Sequence, residues 1–418
     1  MNRIQKFLFF LILIVFPFGQ LLRLDLTNFI VGLKVQAIDI TVFVFVFFWF
    51  LKKIIQKEKF KAPPLFCELA FFGLIAGLSL VFQVWRLKPI ELLGASFYLL
   101  RLLNFIAFFW AAVEILSKEN LSIFEYLVGE GIIIAFFSLF QYIILPDTRF
   151  LFNLGWDKHY FRAIGTFLDP AFTGLLMVLA FIIWTVEFSK SNKAKNFLFG
   201  LTGFILLLAI GLTFSRLAYF SLFVGLSTMS LLKKERRLYV VAGLALLVII
   251  FFLPKPGGEG VNLFRKSSLI ARSAAYKQSF GIINNHFLFG VGYNAYRYTQ
   301  RDYGFILPQD WQSTNAGAGT DNSFLFILAT TGVFGLISFL YFWLKSLYLG
   351  FLFSRKSQSS LILFTSLSVL SIGALAINCL FYPWVLCWLA ILLAKFTVDN
   401  LSATQARSCF RLGRDKRF

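Results

Sequence analysis

In a chain of 418 residues, 59% apolar and 19% aromatic with a mean hydropathy of +0.78, apolar content lies well above that of soluble domains and excludes an ordinary soluble fold. Lysine and arginine outnumber aspartate and glutamate 40 to 20, but no zinc-finger spacing or basic-aromatic strand pattern accompanies the surplus, so nucleic acid is not an expected partner. The expected class is all-α, a polytopic membrane protein.

The first apolar run, Phe7 to Phe18, follows Arg3 and Lys6 as a signal peptide's core would. It lacks a small-x-small cleavage site and leads into Pro17-Phe18-Gly19, so it is expected to stay as an uncleaved first span. Crossing a ~30 Å hydrocarbon core takes about 20 apolar residues. Runs of that kind lie near 5–22, 35–51, 65–84, 92–116, 123–145, 168–188, 197–214, 216–232, 237–253, 323–345, 360–378 and 381–397. They predict about twelve transmembrane helices.

Charge orients these spans, because Lys and Arg near span ends stay on the cytoplasmic side. One set of connections holds Arg3 and Lys6, the Lys52 to Lys61 group, Lys118, Lys190 to Lys195, Lys233 to Arg237, Arg355-Lys356, and Arg407 to Arg417. It carries about 22 basic residues, against about 8 in the short loops of the other set. Both termini are therefore expected to be cytoplasmic, and one large loop, 254–322, to face outside. The smaller outer segments are the turn at Arg86-Leu87-Lys88, 146–167 and the Ser215-Arg216 turn. The chain divides into N-terminal helices (1–160), helices with outer arginine motifs (161–253), the outer loop (254–322), and C-terminal helices with a basic tail (323–418). No internal repeat or low-complexity linker marks a detachable domain. Within the loop, 268–287 is expected to form an amphipathic helix beside the membrane.

Chemistry-bearing residues gather on the outer side. Arg162, Arg216 and Arg272 could form a cationic pocket, since guanidinium forks match phosphate oxygens bidentately; alternatively each reaches lipid headgroups or pairs with Asp157, Asp169 or Asp302. Asp321 precedes the apolar run from Phe324 and either caps that helix or stands as a carboxylate to take a proton from a sugar hydroxyl. Gly290-Val291-Gly292-Tyr293-Asn294 allows close backbone approach to a ligand or simply makes a turn. Intramembrane Arg101 is a secondary candidate that could pair with Glu114, Glu91 or a backbone carbonyl. His159 and His286 stand far apart, and the cysteines, Cys67, Cys379, Cys387 and Cys409, show no metal or disulfide spacing, so neither a metal nor a cofactor is expected.

Taken in order, Arg162-x-x-Gly165-Thr166-Phe167 with Asp169-Pro170, Ser215-Arg216, Arg272 with Tyr276, Phe287 to Gly292, and Asp321-Asn322 followed by Gly332-x-x-Gly335 resemble the O-antigen ligase/polymerase family of membrane glycosyltransferases. The likeness covers about residues 160–350. It implies transfer of a glycan from a polyprenyl pyrophosphate to an acceptor sugar, on a lipid or a growing glycan, at the outer face of the cytoplasmic membrane. By the same resemblance, Arg216 and Arg272 would hold the leaving diphosphate with Arg162 as a weaker candidate. Asp321 would be catalytic, and Asn322, Gly290 and Gly292 would border the substrate. Many ligases have His where this chain has Asp321, which is less basic unless burial raises its pKa. The rival reading is a polysaccharide-precursor transporter or flippase, disfavoured by the lack of repeat symmetry.

Overall fold

A computed structural model describes residues 2–119, 121–189, 193–233, 240, 243–244, 247, 251, 259–263, 266–306 and 319–401. Its helices are α1 (Asn2–Val15), α2 (Ala37–Ile55), α3 (Phe66–Val81), α4 (Pro89–Lys118), α5 (Ile123–Ile144), α6 (Pro170–Phe188), α7 (Lys193–Leu212), α8 (Arg216–Leu232), α9 (Ser267–Asn285), α10 (Tyr296–Asp302), α11 (Ser323–Phe353), α12 (Gln358–Ala376) and α13 (Pro383–Phe396). One antiparallel hairpin, β1 (Arg23–Asp25) with β2 (Lys34–Gln36), interrupts the helical order.

The all-α expectation holds. Among the described residues, seven segments are long and apolar enough to cross a membrane: Arg3–Leu21, Pro89–Lys118, Ile123–Ile144, Pro170–Phe188, Ser323–Phe353, Gln358–Ala376 and Pro383–Asn400. Phe66–Val81, Phe197–Leu212 and Arg216–Leu232 are shorter apolar helices. Each expected span contains helical residues; 237–253 lies mostly outside the described residues, and those described there, 240, 243, 244, 247 and 251, are helical. By length and composition alone, seven of the described segments qualify as spans, and the three shorter apolar helices fall below that length.

α6 is apolar on every side, and such a helix must be buried on every side. It sits among α5, α7, α8 and α12, with Leu175 through Ile183 at 0% exposure. α13 is the second buried helix and packs on α4 and α12. Ion pairs join the helix ends in two layers. Lys6–Glu119 at 2.7 Å, Lys53–Glu114 at 2.5 Å and Lys345–Glu68 lie at one end. Arg101–Asp39 at 2.6 Å and Arg301–Glu91 lie toward the other. Arg101 thus pairs with Asp39 and donates to a backbone carbonyl, one of its expected partners, that of Lys34 at 2.6 Å; Glu114 and Glu91, the other two, are held by Lys53 and Arg301.

α11 is broken. Gly332 takes φ +68° and ψ −171°, so the helical ladder cannot run through it. The segment after α9 repairs the ladder: Val291 N–H donates to the Ala329 carbonyl and Gly292 N–H to that of Thr330, both at 2.9 Å, and Val333 N–H donates to the Phe287 carbonyl at 2.9 Å. Gly290, at φ +68°, lies so close to the break that a Cβ would overlap the Thr330 carbonyl. α3 and its following turn clamp the same segment. Gln83 donates to the Gly290 carbonyl at 3.3 Å, Arg86 to that of Val291 at 2.9 Å, and the Ser79 hydroxyl accepts from Tyr293 N–H at 3.1 Å.

A Cβ on Gly332 would overlap the Leu288 carbonyl. Gly332→Ala is expected to lower the melting temperature of the detergent-solubilised protein sharply, since positive φ with ψ near 180° is a region essentially confined to glycine and costs another residue about 1–3 kcal/mol. Gly129→Ala is the control, because a Cβ there meets nothing within 4 Å and helix propensity favours it. Equal melting of the two variants would contradict the docking of the loop on the helix break.

Candidate active site

Three residues one or two turns apart share a face of α9: Arg272, Tyr276 and Ser279. Tyr276 Oη donates to the Leu375 carbonyl at 2.8 Å, near the end of α12. Ser279 Oγ meets Tyr296 Oη of α10 at 2.7 Å. The α11 end is tied to the same place, because Asn322 Nδ2 donates to the Leu375 carbonyl at 3.4 Å and Ser323 Oγ to that of Ile377 at 3.2 Å. These bonds hold the Arg272 face of α9 against the residues that open α11.

Asp321 does not cap α11. Asn322 does, its Oδ1 accepting from Phe324 N–H at 2.8 Å and Leu325 N–H at 3.0 Å. Capping needs extended backbone and a short side-chain acceptor, and the residue directly before the first helical position meets both demands. Asn322 is consequently buried, whereas Asp321 keeps a half-buried carboxylate outside the cap. Burial raises the Asp321 pKa above the ordinary aspartate range; the positive charge of Arg272 opposes the rise and the negative charge of Asp157 adds to it.

Asp157 also acts on Asp169, whose pKa burial raises and the N–H of Phe172 lowers. Asp169 is the N-cap of α6, accepting from Ala171 and Phe172 N–H at 2.7 and 2.8 Å. Asp157 therefore acts on both Asp169 and Asp321, with the charge of Arg162 opposing the rise at Asp169 and that of Arg272 opposing it at Asp321. Among the described residues no group of three or more His, Cys, Asp or Glu side chains is arranged to hold a metal ion.

The remaining predicted residues have distinct surroundings. Arg162 is buried and donates to the carbonyls of Thr213 at 2.9 Å and Phe214 at 3.2 Å, which fixes the α7–α8 hairpin. Arg216 opens α8 behind the Ser215 cap and reaches the Leu263 carbonyl at 3.4 Å. Gly290 and Gly292 belong to the loop docked on the α11 break, where Gly290 lies against the Thr330 backbone and Gly292, at φ +95°, lies against the Gln83 side chain. His286 lies with Tyr303 and Arg86, and burial followed by the Arg86 charge lowers its pKa.

Sequence reading named Asp157 only as a partner for arginines and missed Tyr296, which feels the Asp321 charge. A carboxylate in a polar stretch and a tyrosine four residues beyond Gly292 carry no local signal. Only the packing of α9 and α10 against α11 brings them in.

Residues 201–340 match the family model described as O-antigen ligase. No curated protein matches the chain. The matched stretch contains Arg216, Arg272, Gly290, Gly292, Asp321 and Asn322, with Arg162 before it. It supports the O-antigen ligase/polymerase family and, with the seven long apolar helices, a multi-pass membrane protein of polysaccharide biosynthesis.

If Asn322 is the cap, Asn322→Ala should destabilise the protein by about 1 kcal/mol while Asp321→Asn leaves thermal unfolding unchanged. The opposite ranking in a melting experiment would return the cap to Asp321.

Proposed function

We propose, with the O-antigen ligase match over residues 201–340 as premise, that this protein is a metal-independent membrane glycosyltransferase acting on polyprenyl-pyrophosphate-linked saccharides at the outer face of the cytoplasmic membrane, with both termini cytoplasmic. The observation that carries the reading is the Asp321 carboxylate, left outside the helix cap and opposed by Arg272.

In the proposed step an acceptor hydroxyl attacks the anomeric carbon of the donor sugar. The bond from that carbon to the diphosphate oxygen breaks, and the diphosphate leaves with the electron pair. Asp321 takes the hydroxyl proton, a role for which a pKa raised by burial suits it better than an ordinary aspartate. Arg272 and Arg216 neutralise the departing diphosphate, guanidinium forks being matched to its oxygens. Arg162 acts one step back: its bonds to Thr213 and Phe214 orient the hairpin on which Arg216 stands. Asn322 holds Asp321 in place through its cap, and the docked Gly290–Gly292 turn holds α10 beside it.

Saccharide transfer by the purified, reconstituted protein on a fluorescent polyprenyl-pyrophosphate oligosaccharide, with chelator and without nucleotide, tests this. Arg272→Ala is expected to lower the transfer rate about 10²–10³-fold, the range for removing one positioned donor from a developing anion. A ladder of products would mark a polymerase and a single adduct a ligase. Movement of the donor across the bilayer with no transfer to any acceptor would overturn the reading in favour of a transporter.

The pH dependence has a definite sign. The proton acceptor must be ionised, so the rate should fall as pH drops through the Asp321 pKa, at a midpoint above the ~3.9 of a free aspartate. Asp321→Asn should abolish the reaction. A rate indifferent to that substitution would remove Asp321 from the chemistry.

A further inference from the structure

The turn between α12 and α13 carries polar side chains that neither helix and no step of the proposed proton transfer uses. Asn378 stands in it, three residues past Leu375, whose carbonyl accepts from both Tyr276 and Asn322. A Cβ on Gly319, two residues before Asp321, would meet Asn378 Nδ2 at 3.0 Å, so the amide lies beside the backbone that leads into that carboxylate. Its Oδ1 is buried without a hydrogen-bond partner, and among the described residues its Nδ2 makes no hydrogen bond either. An unsatisfied buried acceptor is costly to a fold and calls for a cause outside it.

Four residues on, the Tyr382 ring stacks on Phe172 at 4.0 Å, and its Oη accepts from Gln20 Nε2 at 2.9 Å. Tyr382 N–H donates to the Cys379 carbonyl at 3.1 Å, which keeps it close to Asn378 along a tight turn. Among the described residues the Tyr382 O–H has no acceptor, and burial raises its pKa, so the hydroxyl keeps its proton. Phe172 N–H is one of the two donors to Asp169 Oδ1, and nothing among the described residues donates to Asp169 Oδ2. The charge of Asp169 reaches the Tyr382 hydroxyl, and that of Asp157 reaches both Asp169 and Asp321. These relations run in a circuit from Asp321 through Asn378, Tyr382, Asp169 and Asp157 back to Asp321.

An amide both donates and accepts, a phenol donates and a carboxylate accepts, which together match the donors and acceptors of sugar hydroxyls. The carboxylates repel a diphosphate, so the occupant is the sugar that carries none. We propose that Asn378, Tyr382 and Asp169 form the subsite for the acceptor, a neutral saccharide that hydrogen-bonds to all three while presenting one further hydroxyl to Asp321. The assignment rests on the glycosyl-transfer reading and adds to it the place of the acceptor.

Binding is measured first without donor, by saturation-transfer NMR titration of the full chain in detergent. The two probes are the free oligosaccharide released from the donor lipid and a deacylated lipopolysaccharide core oligosaccharide. The wild type and Arg272→Ala are expected to bind one of them. Asn378→Ala and Tyr382→Phe should each weaken that binding about tenfold, as loss of one hydrogen bond implies. Asp169→Asn, which keeps a capping oxygen for α6, should weaken it as much. Asn378→Ala should melt no lower than the wild type, because it removes an unsatisfied acceptor. In the transfer assay the three variants should raise the acceptor KM and leave the donor KM unchanged. Equal binding by the variants, no binding of either probe by the wild type, or a rise in the donor KM instead would overturn the assignment. Probe binding that the variants lose, in a wild type that transfers nothing, would uphold the saccharide subsite and overturn the transfer reading alone.

Discussion

A helix that cannot finish itself governs how α3, α9, α10 and α11 are arranged. Within a bilayer each backbone donor and acceptor freed by a break must find a partner inside the protein, because lipid offers none. Gly332 breaks α11, and the freed groups at Ala329, Thr330 and Val333 are taken up by the segment from Phe287 to Gly292. That segment joins α9 to α10, so the repair of one helix fixes the positions of two others. Gln83, Arg86 and Ser79 then tie the same segment to α3 and its following turn, making the break a junction of three parts of the chain.

From that junction follows the disposition of charge. With α9 and α10 held over the opening of α11, the Leu375 carbonyl can accept from both Tyr276 and Asn322, and Arg272 comes to act on Asp321. Two adjacent residues divide the labour at the helix start. Asn322 satisfies backbone N–H groups that would otherwise be orphaned, and this leaves the neighbouring carboxylate available. The Arg162 guanidinium does comparable work beneath the α7–α8 hairpin, joining carbonyls that a tight turn leaves without partners in the helical ladder.

Much of the membrane architecture was legible in the chain because it is a matter of local composition. Apolar runs of spanning length and basic clusters at their ends need no knowledge of neighbours. The same is true of the Asp169-Pro170 start of α6, where an N-cap residue precedes proline. Other residues were ambiguous for physical reasons. Asp321 and Asn322 are equally good caps by type, and the choice depends on one residue of backbone geometry. Gly290 and Gly292 permit close approach, but the sequence does not say whether a ligand or another helix does the approaching. Arg101 needed a partner, and only the packing of α2 against α4 brings Asp39 to it.

Sequence alone determined that this is an all-α membrane protein, because hydropathy and charge act through the solvent that each residue meets. Tertiary structure decided which of its polar residues act on one another. These residues come from three separated stretches, Asp157, Arg162 and Asp169 from the segment leading into α6, Arg272 from α9 and Asp321 from just before α11, and their coupling depends on how those parts lie beside each other. It also decided that the hairpin turns Arg23 and Lys34 inward with Leu24 outward. Three-residue strands carry too little alternation to show their orientation, and the face they bury is set by the helices that hold them.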